Sequence, residues 1–73
     1  MQKMPESFIE KNIEDALKHH QAGRLQDAER LYRAILEIRP DHPDVNHNLG
    51  TLLTQIGKPE AGLPYLKKAL ESG

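Results

Sequence analysis

Seventy-three residues with a formal net charge of −1, aromatic residues at 4% and no cysteine describe one small domain without room for a second core. The near-zero charge offers no basic surface to displace nucleic-acid counterions, and the missing cysteines exclude disulfides and thiolate metal sites. The longest apolar run is Ala34-Ile35-Leu36, far short of the ~20 residues that cross a bilayer, so neither a nucleic acid nor a membrane is expected as partner.

Met1-Gln2-Lys3-Met4-Pro5 leads into acidic residues and not an apolar stretch, so it does not read as a signal peptide, and a cytoplasmic location is the default. Ser7-Phe8-Ile9-Glu10 fits a capping box, in which the hydroxyl and the carboxylate satisfy orphan amides reciprocally. Behind it Ile9, Ile13, Ala16, Leu17 and His20 share one helical face. Gly23 offers a left-handed C-terminal turn. Leu25, Ala28, Leu31, Tyr32, Ile35, Leu36 and Ile38 predict a second helix, which Pro40 stops because proline has no amide to continue it. Asp41-His42-Pro43-Asp44 is a turn that leaves Pro43 as first residue of helix three. Val45, Leu49, Leu52, Leu53 and Ile56 form its apolar stripe, and Gly57 closes it. Pro59 opens helix four, with Ala61, Leu63, Leu66, Ala69 and Leu70 as its apolar positions. Pro64, inside that helix, removes the bond its amide would make to the Glu60 carbonyl, which predicts a mild kink on a solvent-facing side.

These elements repeat. Gly23 and Gly57 lie 34 residues apart, and at the same offset Ala16 meets Gly50, Arg24 meets Lys58, Leu36 meets Leu70 and Glu37 meets Glu71. A fixed period in this range marks a solenoid whose units bury their apolar faces on one another. The second unit reads Asn46-x2-Leu49-Gly50-x2-Leu53, then Gly62-x3-Leu66, and the first offers Ala16, Ala28-x3-Tyr32 and Pro40. This resembles the tetratricopeptide repeat over residues 9 to 73. Asn46 stands where that family favours tryptophan, and Asp15 where it favours leucine. The resemblance implies an all-α fold of two tandem helix-turn-helix repeats, about residues 8–40 and 43–73, in a short right-handed α-solenoid. The small residues Ala16 and Gly50, with Ala28 and Gly62, would let paired backbones approach, while Tyr32 and Leu66 fill the space between units.

The residues give little to chemistry. His19 and His20 are adjacent, and His42 and His47 are five apart, so neither pair has the i, i+4 spacing that brings imidazoles together. Asp15 has that spacing to His19, but one carboxylate and one imidazole make a weak metal site. No phosphate loop, cysteine nucleophile or convergent Ser-His-Asp set is present, so no enzyme, cofactor or metal is expected. Asp27, Glu29, Arg30 and Arg33 read as solvated pairs on exposed faces.

What the family resemblance implies is protein recognition, as a scaffold holding an extended peptide or a partner helix in a concave groove. The first helix of each unit would line it, which gives Ile13, Leu17, His20 and Gln21, then Asp44, His47, Asn48, Thr51 and Gln55. The Asn48 amide can donate and accept at once, which suits a peptide backbone. Ile13 and Leu17 fall where the chaperone-binding branch carries its carboxylate clamp, so only Asn48 of that clamp remains and that subtype is not expected. Arrays of this kind need about three repeats and a polar cap. Two repeats would leave Leu63, Leu66 and Leu70 apolar at an open C-terminal end, which predicts a homodimer or higher homo-oligomer. His19-His20-Gln21-Ala22-Gly23-Arg24, followed by Asp27-Ala28-Glu29, also looks like the opening repeats ahead of bacterial glycosyltransferase or sulfotransferase domains. That likeness implies an alternative, the truncated accessory arm of such an enzyme.

Overall fold

The structure, a computed structural model, describes residues 5–72. Met1 to Met4, where most of the opening segment falls, and Gly73 lie outside them. Four helices follow one another: α1 Pro5–Gln21, α2 Leu25–Ile38, α3 Pro43–Gln55 and α4 Pro59–Ser72. No strand occurs among the described residues. Each helix packs on the next, α1 on α2, α2 on α3 and α3 on α4, as short links between helices require.

The two units are closed by one device used twice. Gly23 and Gly57 adopt φ of 84° and 85°, a conformation in which any Cβ would be strained. Around Gly23, the Arg24 amide donates to the His19 carbonyl and the Gly23 amide to that of His20. Around Gly57, the Lys58 amide donates to Leu53 and the Gly57 amide to Thr54. Both are complete Schellman closures, in register at the repeat offset.

Between the units the chain turns at residues 39–42. The Arg39 amide still reaches the Ile35 carbonyl, and His42 caps α3 by accepting from the Val45 amide at 3.4 Å. Pro43 follows as the first helical residue, where its missing amide costs nothing. Asn46 is 99% buried at the position where the family favours tryptophan, and its amide donates to the carbonyls of Pro40 at 3.1 Å and His42 at 2.9 Å. A polar side chain thus replaces an aromatic one by fastening the inter-unit loop to α3.

The start of α1 differs from the sequence expectation. Helix already runs from Pro5, so Ser7 is an exposed residue of the first turn and not the cap of a capping box. Proline fits the first helical position as well as serine fits the cap, and a Ser-x-x-Glu spacing also arises on the outer face of any helix.

Ile9 and Ala16 of α1, Ala28, Tyr32 and Ile35 of α2, and Val45, Leu49, Leu52 and Leu53 of α3 form one buried core. α4 joins it at Gly62, where the backbones of α3 and α4 come so close that a Cβ would lie 2.6 Å from the Gly50 carbonyl oxygen. The close approach expected of Gly50 and Gly62 is therefore real, and Ala16 and Ala28 are fully buried at the matching positions of unit one. Five of the predicted apolar positions are exposed: Ile38, Ile56, Ala61, Leu63 and Leu70. Ile38 ends α2 and Ile56 caps α3, and α4 is the outermost layer among the described residues. Pro64 is exposed, and α4 is continuous through it.

Candidate functional site

His20, one turn before the Gly23 closure, joins three helices. Its Nδ1 lies 3.0 Å from the hydroxyl of the buried Tyr32 on α2, and its Nε2 lies 2.6 Å from Oε1 of Gln55 on α3. An amide oxygen only accepts, so the tautomer with hydrogen on Nε2 satisfies both bonds: Nε2–H donates to Gln55, and the Tyr32 hydroxyl donates to Nδ1. The two rings meet edge to face, with centroids 5.9 Å apart and planes at 72°. Burial pushes the Tyr32 phenol above its ordinary value, because the phenolate would have to lose its water.

The His20–Gln55 bond sets the C-terminal ends of α1 and α3 side by side. Along α1, Ile13, Leu17 and His20 are half-buried, and Ile13 also packs against the core. Gln21 is exposed. Along α3, Asn48 and Thr51 are half-buried and Gln55 is exposed. No described residue hydrogen-bonds to the Asn48 side chain, so both its donor and its acceptor are uncommitted.

His47 and Asp44, both exposed on α3, also border a second feature. With Pro43, Leu66, Ala69 and Leu70 they line a mainly apolar groove of about 410 Å³ between the start of α3 and the end of α4. On α2 and α4, Arg33 donates to Glu29 at 2.9 Å and to the Tyr65 hydroxyl at 3.0 Å, its guanidinium 5.8 Å from the Tyr65 ring centre. Arg30 pairs with Asp27 at 2.9 Å. The Asp15–His19 pairing suggested by spacing is not made. Asp15 lies 3.8 Å from Lys11, while His19 accepts from the Arg24 guanidinium at 2.9 Å and approaches Asp27 at 3.9 Å. Among the described residues no group of three potential metal ligands converges, and no helix is long and apolar enough to cross a membrane.

Sequence reasoning missed the His20–Tyr32–Gln55 network and the role of Asn46. A signal for the first was available: a tyrosine at a core position needs a partner for its hydroxyl, and a histidine on the preceding helix is the nearest candidate in kind.

Two helical hairpins, closed by the same glycine turn at the same offset and stacked in chain order, define a helical-repeat protein of the solenoid class. The chain belongs to the tetratricopeptide repeat family, which residues 19–73 match. It is similar to Tetratricopeptide repeat protein 7A of Homo sapiens, 33% identical over 49 residues that cover 67% of this chain and 6% of that protein. The chain thus spans a small fraction of the curated relative it matches. No solved structure matches it. Repeats of this family mediate protein–protein interaction.

Proposed function

We propose that the protein is a non-catalytic recognition module that holds an extended peptide or a partner helix against the inner rows of α1 and α3. The observation that carries this reading is the His20–Gln55 hydrogen bond, which joins the C-terminal ends of two helices whose rows differ in character. Ile13 and Leu17 offer apolar surface, and Asn48 and Thr51 offer polar groups with capacity to spare. An amide with both donor and acceptor uncommitted suits a peptide backbone, whose groups alternate in the same way. A two-unit surface is short and a free peptide loses conformational freedom on binding, so affinity is expected on the order of micromolar or weaker.

Peptides selected from a random displayed library against the intact chain provide the test. Asn48→Ala and Leu17→Ser should weaken the selected peptides, Asn48→Ala by about 1–3 kcal/mol if its amide pairs with buried backbone. Arg33→Ala, on the other helix layer, should leave binding unchanged. Leu17→Ser is read only if its circular dichroism matches the parent. Binding that survives Asn48→Ala and disappears with Arg33→Ala would assign recognition to the α2–α4 side instead.

A further inference from the structure

The inner rows already hold an amide carbonyl in the free protein, and the protein supplies that carbonyl itself. His20 Nε2–H donates to Oε1 of Gln55 at 2.6 Å, and a carboxamide oxygen is the same kind of acceptor as a peptide carbonyl. The two partners of this bond are held very differently. His20 is fixed from behind, because its Nδ1 accepts from the hydroxyl of Tyr32, a residue with no exposed surface, and the rings meet edge to face. Turning the imidazole away would leave that hydroxyl buried without a partner. The direction of Nε2–H is therefore set by the core.

Gln55 has no such anchor. Its residue is exposed, and its side chain makes no other hydrogen bond among the described residues. α1 and α3 are not a packed pair of helices, so swinging the amide outward leaves the helix packing as it is. One repeat offset earlier stands Gln21, which is exposed and hydrogen-bonds through its side chain to no described residue. A solvated amide is thus already the resting state at this position of the repeat. The place of His20 in unit two belongs to Thr54, whose hydroxyl donates back to the Gly50 carbonyl at 3.0 Å. Between these two matching positions, only unit one presents a donor that is fixed in direction and loosely covered.

We propose that His20 Nε2–H is a binding donor for a main-chain carbonyl of the ligand, and that the Gln55 side chain covers it until the ligand takes its place. The proposal rests on the reading of the α1 and α3 rows as the binding surface, and it sets a register on that surface. Asn48 and Gln55 lie two turns apart on α3, about 10 Å, a span of about three residues in an extended peptide. A bound peptide gives one carbonyl to His20 and, at that spacing, pairs its backbone with the Asn48 amide. The carbonyl at His20 replaces a bond that the free protein already makes, so Gln55 competes with the ligand and lowers its affinity.

The test uses peptides selected from a random displayed library on the intact protein and, separately, on its intact Gln55→Ala variant. Gln55→Ala removes the competitor and should tighten the selected peptides about two- to tenfold, the equivalent of one neutral hydrogen bond. Gln55→Glu keeps the shape but accepts more strongly, and should weaken them. In isotope-labelled protein the His20 Nε2 resonance should move in Gln55→Ala and return toward its starting position when peptide is added. Unchanged or weaker binding by Gln55→Ala, affinities that shift the same way in both variants, or an Nε2 resonance indifferent to peptide overturns the proposal. If Asn48→Ala still weakens the same peptides, the inner rows remain the binding surface and only the role of His20 is lost. Peptides that ignore both Asn48→Ala and Leu17→Ser, or no peptide from either selection, would remove the inner-row reading and this proposal with it.

Discussion

Gly50 and Gly62 face each other so closely that neither position has room for a side chain. A Cβ on Gly62 would lie 2.6 Å from the Gly50 carbonyl oxygen, and one on Gly50 would lie 3.0 Å from that of Gly62 and 2.6 Å from the Leu66 side chain. Unit one carries alanine at both matching positions, so α1 and α2 accommodate two methyl groups where α3 and α4 accommodate none.

Gly62→Ala is therefore expected to destabilise the protein. Alanine in a helix interior favours folding by about 0.5–1 kcal/mol over glycine. Forcing backbone away from backbone costs about 1–3 kcal/mol, and the contact here is a carbonyl, not the end of a flexible side chain. The clash wins. Thermal melting should fall by several degrees, as about 1 kcal/mol does in a domain of this size. An unchanged or raised midpoint would refute the close approach.

Asn46 gives a second expectation. Its amide donates to two loop carbonyls from a fully buried position, and its Oδ1 has no partner among the described residues. Asn46→Ala strands the Pro40 carbonyl, while that of His42 keeps the backbone amide of residue 46, and should cost about 1–3 kcal/mol. Asn46→Asp has the same shape but points an unpaired carboxylate at them, which should cost more, about 3–5 kcal/mol. Urea unfolding of the two variants measures the order. An aspartate variant as stable as the alanine one would mean that the side chain is less enclosed than its burial implies.

Much of this architecture was legible because the signals are local. Gly23, Gly57, Pro40, Pro43 and Pro59 act through backbone geometry that needs no tertiary context, and all five fall where the periodicity put them. Ser7 misled because its spacing to Glu10 satisfies two different positions in a helix. Asn46 was opaque for the opposite reason: hydropathy reads asparagine as exposed, and only the neighbouring loop supplies its two acceptors. The exposure of Leu63 and Leu70 depends on what lies beyond α4, which periodicity within α4 does not report. For the inner rows, the sequence gives the helical spacing of Ile13, Leu17 and His20, while the bond joining α1 to α3 requires knowing how the units stack.

Tyr32 makes stability pH-dependent in the alkaline range. Burial raises its folded value above the ordinary phenol value, near 10 in an unfolded chain. Above that value the unfolded state gives up a proton that the folded state retains, so fewer protons are bound on unfolding and stability falls as pH rises. The contribution is complete below the unfolded value and is lost as pH climbs through the folded one. In a Tyr65→Phe background the remaining phenol reports Tyr32 alone. Its absorbance should titrate above a free tyrosine, with unfolding in the same range. Ionisation at the free-tyrosine pH in a still-folded chain would contradict the burial.

The His20 network separates structural from binding roles within one row. His20→Phe leaves the Tyr32 hydroxyl buried without its partner, a loss of about 1–3 kcal/mol, whereas Gln55→Ala removes one bond at an exposed amide, worth about 0.5–1.5 kcal/mol at most. His20→Phe should be the more damaging change. Adding Tyr32→Phe to it should recover stability, because replacing both partners of a hydrogen bond by apolar groups is nearly neutral. A double-mutant cycle on His20 and Gln55 should yield a coupling of the same sign as the bond, since the two side chains touch. Denaturant midpoints for the set decide it: equal losses for His20→Phe and Gln55→Ala, or no recovery with Tyr32→Phe, would show that the Tyr32 hydroxyl does not depend on His20. If the order holds, Gln55→Ala is the variant through which binding at the inner rows can be read with little folding penalty, and His20 substitutions are the ones that confound it.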